Sequence, residues 1–587
     1  MATGSVWVGW PLKGTAIALV MLIGSRKHLF KNNLFDTVDK WDSVSCTAES
    51  REARTITGIC NNLKNPKEGA AGVRFGRNVP LPTVKKAFEI DIMDPPPELI
   101  SKKLMTREKF IPTKMLNLLT TTWIQFMTHD WFSHGARENS RPHKLKNGKT
   151  IKRTKIDRTH SSSSKVFKAS VNVNTHWWDG SQIYGSSLKE HKRVRVANAD
   201  GTNAKCELKL AKDGWLPLDK SGLEVTGFVD NWWVGLAMLH NIFTREHNYL
   251  CEKLRVWYPK KYDEHQLYNK ARLINAALMA KIHTIEWTPA ILQNKVLNIA
   301  MHANWFGLLG KRMHKAIHFG PAALSGLVGG KTKNGGVAYT LTEEFVAVYR
   351  MHPLLPETVD VYDFESKALK TKIPLLKTRR HNVSSIVKKH NLDNLWYSFG
   401  AKMHPGALSL RNFPKALQNI NIPGDGKVDL AAIDVFRDRE RGIPRYNEFR
   451  RLINLKPITK FEDLTTNKRD LADLKEVYGN DIEKIDLLIG CLAETIRPSG
   501  FGFGETAFQI FIAMASRRLL TDRFYTVDFT KKIYTKEGMN HLDNNTMVDV
   551  IVRHFPKLAG ALKGQTNAFT PWGNKKYPKF QTPRQFK

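Results

Sequence analysis

Six segments of this chain, 115–132, 231–253, 268–287, 342–352, 482–495 and 505–520, carry apolar residues at three- and four-residue intervals. That period places the apolar side chains on one face of an α-helix, whereas the alternation expected of a half-buried strand is rare and short here. The chain is therefore expected to be mainly α. At 587 residues with 42% apolar content it can bury a large core, and no internal repeat or Pro/Gly/Ser linker divides it. The expected organisation is an N-terminal helical segment over 1–69 and one large helical unit over 70–587, interrupted by a basic insertion at 141–165.

The formal charge is +36, with basic residues gathered at 141–165, at 367–390 and in the tail 574–587. Such charge attracts anions of several kinds, but no nucleic-acid-binding motif accompanies it, so no nucleic-acid partner is expected. The five cysteines, Cys46, Cys60, Cys206, Cys251 and Cys491, are odd in number and lack metal-type spacing. They predict neither a disulfide framework nor a zinc site. Near the N-terminus, the run GTAIALVMLIG follows Trp7 and Trp10 and precedes SRKHLFKNN. It is too short to span a bilayer and lacks a cleavage signature. Two readings stay open: a helix packed into the core, or an amphiphilic helix giving an intracellular protein peripheral membrane contact.

In TEEFVAVYRMHPLLP, 342–356, Thr340 and Glu343 read as a capping box, and Leu341, Phe345, Val348, Tyr349 and His352 then fall on one helix face. Tyr349 and His352 are thus placed a turn apart, and Pro353 ends the segment. A second histidine lies in WIQFMTHDWFSHG, 123–135, where Gln125 and His129 share a face among Trp123, Phe126, Met127, Trp131 and Phe132. Two imidazoles on separate helices suit a flat iron cofactor: one ligates the metal, and the other, beside an amide, works on peroxide.

These segments, together with FVDNWWVGLAMLHNIFTREHNYL, KIHTIEWTPAIL and AAIDVFRDRERGIPRYNEFRR, resemble the peroxidase–cyclooxygenase superfamily and most closely its fatty acid α-dioxygenases. The likeness runs from about residue 70 to about residue 526 and includes several unusual words in the expected order. It implies one large helical catalytic domain with haem b. By the same resemblance His129 is the distal histidine with Gln125 beside it, His352 the proximal iron ligand, and Tyr349 the radical-bearing residue.

NTHWWDGSQIYGSS sets Thr175, Trp177, Asp179 and Ser181 at alternating positions, a row of oxygen donors suited to Ca²⁺, with Trp177 able to offer only its carbonyl. An ordinary Asp-Gly turn would explain the same spacing. The family likeness favours calcium and adds Asp130, next to His129, as a ligand. It also implies that His283 and Thr288 form a carboxylate clamp with an arginine from ASRRLLTDRFYT; Arg518 is preferred, and Arg523 follows closely. A buried carboxylate needs such charge-assisted partners.

The implied substrates are a fatty acid and O₂, with peroxide as activator. A C–H bond next to a carboxylate is poorly acidic, so one-electron abstraction at C2 by a tyrosyl radical avoids placing two charges together. O₂ then adds at C2, and the 2-hydroperoxy acid can lose CO₂ to give an aldehyde one carbon shorter. Asp434 stands where related peroxidases carry the asparagine that meets the proximal imidazole; it either takes that place or points elsewhere. A general haem peroxidase would need only the two histidines, and a cyclooxygenase- or diol-synthase-like enzyme would oxidise unsaturated chains away from the carboxylate.

Overall fold

The computed structural model describes residues 15–135, 137–144, 150–154, 169–197, 204–311, 326–422, 426–573 and 583. Trp7 and Trp10, the greater part of the basic insertion and all but one residue of the tail 574–587 lie outside the described residues. Helices dominate, and the named strands form four separate two-stranded antiparallel sheets among the described residues. The basic insertion opens as one of these hairpins, Arg137–Lys144 with Thr150–Thr154.

Eight helices carry the argument: α1 (Thr15–Asn32), α2 (Leu119–Trp131), α3 (Val234–Trp257), α4 (Glu264–Ile282), α5 (Lys295–Phe306), α6 (Glu343–Val348), α7 (Leu430–Glu440) and α8 (Glu505–Thr521). Every residue of α8 is buried, which makes it the central helix, and α1 and α6 pack on it. A helix surrounded on all sides must be apolar almost all round, as AFQIFIAMA is. α2 packs against α3 and buries all but two of its 13 residues. Each large apolar side chain removed from water in this way contributes on the order of 2–3 kcal/mol.

Local signals set the helix starts. α4 opens on a complete capping box between Asp263 and Gln266, and α7 on Asp429, whose carboxylate accepts from the Ala431 and Ala432 N–H groups. The start of α6 differs from the expected box of Thr340 and Glu343. Its cap is Thr342, which accepts from Phe345 N at 3.2 Å. The chain remains extended up to that point because Thr342 pairs with Gly76 in an isolated bridge. α6 also ends at Val348, so Tyr349 and His352 are not on one continuous helix: Tyr349 caps α6, and His352 begins a short 3₁₀ turn.

α1 has two characters. Ala18, Leu22 and Leu29 are buried against the body, whereas Ile17 and Val20 are 59% and 68% exposed. No helix among the described residues is long and apolar enough to cross a membrane.

The cysteines correct the sequence reading. Cys46 is bonded to Cys60 and Cys206 to Cys251, leaving Cys491 as the free thiol. Count and spacing could not reveal this, because the partners are brought together by tertiary packing: Cys206 lies on the strand Ala204–Leu208, which packs on α3, the helix that holds Cys251. Replacing Cys206 and Cys251 together by serine is expected to cost about 2–4 kcal/mol in denaturant unfolding. An unchanged midpoint, or free thiols at both positions in the oxidised protein, would contradict the pairing.

Candidate active site

α2 enters the core carrying both His129 and Trp131. The His129 ring is buried, its Nδ1 has no hydrogen-bond partner among the described residues, and burial pulls its imidazole down to about 3. It is therefore neutral at neutral pH, with one ring nitrogen left as a lone-pair acceptor. Asn174 donates to the His129 carbonyl at 2.7 Å, tying the helix end to the following loop. Gln125, one turn earlier, is committed to the opposite wall: its Oε1 accepts from Trp233 Nε1 at 2.8 Å.

His352 lies beyond the end of α6. Its Nδ1 meets Asp434 Oδ2 of α7 at 2.7 Å, which leaves Nε2 as the nitrogen for a ligand. The second oxygen of Asp434 is 3.1 Å from Arg350 Nη1, and Arg350 Nε reaches Asp438 at 2.7 Å. The carboxylate thus takes the asparagine's expected place rather than pointing elsewhere. It makes the imidazole a stronger donor than an amide would, because a partial negative charge is pressed onto the ring.

Tyr349 sits between these two histidine-bearing segments. Its ring meets Phe345 with centroids 4.6 Å apart and the edge of Trp131 at 5.5 Å. The hydroxyl is buried without a partner among the described residues, and burial raises its pKa well above the ordinary phenol value. The phenol is held neutral with its oxygen uncommitted.

Arg518, near the end of α8, is fully buried, and none of its three guanidinium nitrogens has a hydrogen-bond acceptor among the described residues. The group is boxed by aromatic faces instead: Trp131 at 3.7 Å, Trp178 at 4.2 Å and Phe345 at 5.0 Å. Such contacts offset part of the desolvation cost of a cation but leave its N–H donors unsatisfied. His283 joins the same box, edge-on to Trp131 and Trp178 at 5.2 Å each. Its Nδ1 accepts from Trp123 Nε1 at 3.2 Å, so its Nε2 carries the proton and is left as a second buried donor without an acceptor.

The backbone explains how His283 reaches this point. α4 passes without a break into a π-helical turn, His283–Trp287, which carries one residue more than a regular turn, and then into Thr288–Ile291. Thr288 is fully buried, but its hydroxyl donates to the His283 carbonyl at 2.9 Å and braces the turn.

The neighbouring arginines are occupied. Arg517 donates to the carbonyls of Val337 and Ala338 at 2.8 and 3.0 Å. Arg523, expected close behind Arg518, does not reach the box: it bonds the Arg51 carbonyl at 2.6 Å, the Ser50 carbonyl at 2.5 Å and the Asp528 carboxylate. It follows the end of α8 and joins the 3₁₀ turn to the N-terminal segment.

Three of the four oxygen-bearing side chains expected around a cation meet in a chain of contacts, and the fourth joins through the backbone. Thr175 Oγ1 is 3.0 Å from Ser181 Oγ, Ser181 Oγ donates to Asp179 Oδ1 at 2.5 Å, and Ser181 N donates to Asp130 Oδ1 at 2.6 Å. Asp130 Oδ2 is buried and unpaired among the described residues, and burial together with the Asp179 charge raises the Asp130 pKa well above the carboxylate range. Trp177 turns its indole away to donate to the Gly58 carbonyl. Arg272 already pairs with Asp179 at 3.2 Å.

An apolar cavity of about 80 Å³ opens between α1, α5 and α8, with Leu22, Leu297, Met301, Phe511 and Ile512 among its walls. Sequence periodicity gave no signal for this cavity, nor for the aromatic box around Arg518, since both arise where distant helices converge.

The animal haem peroxidase family profile matches residues 53–569. α-Dioxygenase 2 of Arabidopsis thaliana is 39% identical, covering 96% of this chain and 91% of that protein, and α-dioxygenase 1 of Capsicum annuum is 37% identical, covering 96% and 90%. A crystal structure of the Arabidopsis thaliana fatty acid α-dioxygenase superposes with a TM-score of 0.89 at 35% identity, covering 98% of this chain and 91% of that one. The Oryza sativa fatty acid α-dioxygenase, crystallised as a tyrosine-to-phenylalanine variant with palmitic acid, gives 0.87 at 34% identity, covering 96% and 94%. Over nearly its whole length, the chain belongs to the α-dioxygenase branch of the animal haem peroxidase family.

Proposed function

We propose that this protein is a haem-dependent fatty acid α-dioxygenase that inserts O₂ at C2 of a long-chain acid. The observation that carries the reading is the buried Arg518 guanidinium with every donor unsatisfied, close to an equally unsatisfied His283 N–H and an uncommitted Tyr349 hydroxyl. A carboxylate answers both sets of donors, and a peroxidase that oxidises small reductants would have no use for them.

His352 would hold the iron through Nε2, with Asp434 orienting the ring, and His129 would supply a neutral imidazole to the same site. The residues fit such a group: one imidazole has a nitrogen free for the metal, and the other is kept neutral by burial. Haem bound there supplies one-electron oxidising power once activated by peroxide. His129, as a neutral base, takes and returns the peroxide proton.

Tyr349, oxidised to a neutral radical by loss of an electron and its phenolic proton, removes a hydrogen atom from C2. The carbon radical combines with O₂, and the resulting peroxyl radical takes a hydrogen atom back from Tyr349. The product is a 2-hydroperoxy acid, and the tyrosyl radical is restored. Arg518 and His283 fix the carboxylate, so that C2 rather than a mid-chain carbon meets the phenol oxygen. Thr288 acts by bracing the turn that carries His283.

The oxygens of Thr175, Asp179, Ser181 and Asp130, with the Trp177 carbonyl, would hold Ca²⁺. Two neighbouring buried carboxylates repel one another, and a divalent cation removes that repulsion. It would also clamp the loop to the end of α2, beside His129.

Three outcomes are expected. Reconstituted with haem and given palmitic acid and O₂, the parent yields 2-hydroperoxypalmitate or pentadecanal by mass spectrometry, and Tyr349→Phe binds haem but forms neither. Turnover of a phenolic reductant with palmitate untouched would point to a general peroxidase instead. Without fatty acid, Arg518→Met is expected to stabilise the chain by about 1–4 kcal/mol, because it removes a buried charge lacking acceptors, while palmitate binding is lost. Destabilisation by Arg518→Met would mean that the guanidinium has a structural partner. Ca²⁺ should raise the unfolding temperature above that in chelator, and Asp130→Asn should abolish the difference; a parent indifferent to Ca²⁺ sinks the cation assignment.

A further inference from the structure

A further fully buried histidine, His240, lies beside His129. His240 projects from α3 with its ring 6.4 Å from that of His129, and its Nε2, like His129 Nδ1, has no hydrogen-bond partner among the described residues. The surroundings give neither nitrogen an alternative. Phe126 and Trp232 stand edge-on to His240 at 5.0 and 4.9 Å, and Phe228 stands edge-on to His129 at 4.8 Å. Burial keeps both rings neutral, so each has one N–H and one lone pair to place.

The tautomer of His240 follows from its other contact. Its Nδ1 lies 2.8 Å from Thr226 Oγ1, and that hydroxyl is 3.3 Å from the Gln182 carbonyl. A carbonyl only accepts, so Thr226 donates its single proton there and accepts from His240 Nδ1–H. His240 Nε2 therefore carries a lone pair. At a ring separation of 6.4 Å the two histidines are too far apart for a direct N–H···N bond even with the nitrogens aimed at each other. One intervening water would satisfy both orphan atoms.

We propose that His240 is a positioning residue for His129: through one bridging water its Nε2 accepts from His129 Nδ1–H, locking His129 in the tautomer that leaves Nε2 with a free lone pair. The hydrogen-bond relay then runs from His129 through water, His240 and Thr226 to the Gln182 carbonyl, with the proton on each side chain assigned. This rests on the reading of His129 as the base that works on peroxide. It adds that the basicity of His129 Nε2 depends on a residue that touches neither cofactor nor substrate. Without His240, His129 can place its proton on either nitrogen, and the Nε2–H form cannot accept one.

The first test reads the tautomer directly, by ¹⁵N-histidine NMR of the haem-free full-length protein, with the His129 signal assigned by its loss in a variant. The parent is expected to show His129 protonated at Nδ1. His240→Phe should mix the tautomers, His240→Gln should restore the parent pattern by supplying an amide oxygen, and Thr226→Val should shift it partway. The second test follows cyanide binding to the haem-loaded protein, because hydrogen cyanide must give up its proton to a base at His129. The association rate should fall about 10- to 100-fold in His240→Phe and recover in His240→Gln.

A parent protonated at Nε2, or equal cyanide rates in His240→Phe and the parent, overturns the proposal. If His240→Phe does not fold, the Gln and Val variants decide: a Thr226→Val tautomer pattern identical to the parent overturns it as well. Palmitate turnover by the parent is scored separately, so failure of the relay and failure of the α-dioxygenase reading remain distinct.

Discussion

A positive charge sealed inside aromatic walls is the constraint on which the rest of this structure turns. Arg518 can be fully buried only because α8 is the central helix and because Trp131, Trp178 and Phe345 converge on it from three other segments. Those rings offset part of the cost of removing a guanidinium from water, yet the N–H groups remain without acceptors. The same rings also border His283 and Tyr349. Aromatic packing that would otherwise be mere core therefore sets the distance between a cation, an imidazole and a phenol.

The two remaining histidines divide along electrostatic lines. His352 is met by a carboxylate that Arg350 holds in place, whereas the nearest ring contacts of His129 are Phe228 and another neutral histidine. One imidazole is enriched in electron density and the other is stripped of charge. The same side-chain type thus suits metal ligation on one segment and proton transfer on another.

Much of this was legible in the sequence, and the failures have physical causes. The periodicity of 505–520 marks α8 almost to the residue because a helix buried all round leaves a continuous apolar record. The words containing His129, His352, Tyr349 and His283 are compact, since each residue sits beside the turn or helix that orients it. The segment 342–352 misled because apolar spacing persists past Val348, where the chain has already left the helix. Arg518 and Arg523 could not be separated by counting, for only tertiary contacts show that the latter is spent on Ser50, Arg51 and Asp528. The disulfides and His240 left no local trace at all: a lone histidine on an apolar face reads as core until its neighbours are known.

The π-helical turn at His283–Trp287 deserves to be read as an inserted residue absorbed without breaking a helix. Deleting one residue there would return the segment to regular α geometry and rotate everything before it, relative to Thr288, by about 100° around the axis. The imidazole would then leave the aromatic box while the helix kept its length and most of its packing. The place of His283 in the aromatic box beside Arg518 is thus one residue away from an ordinary helix, so the box could gain or lose this imidazole without the core being rebuilt.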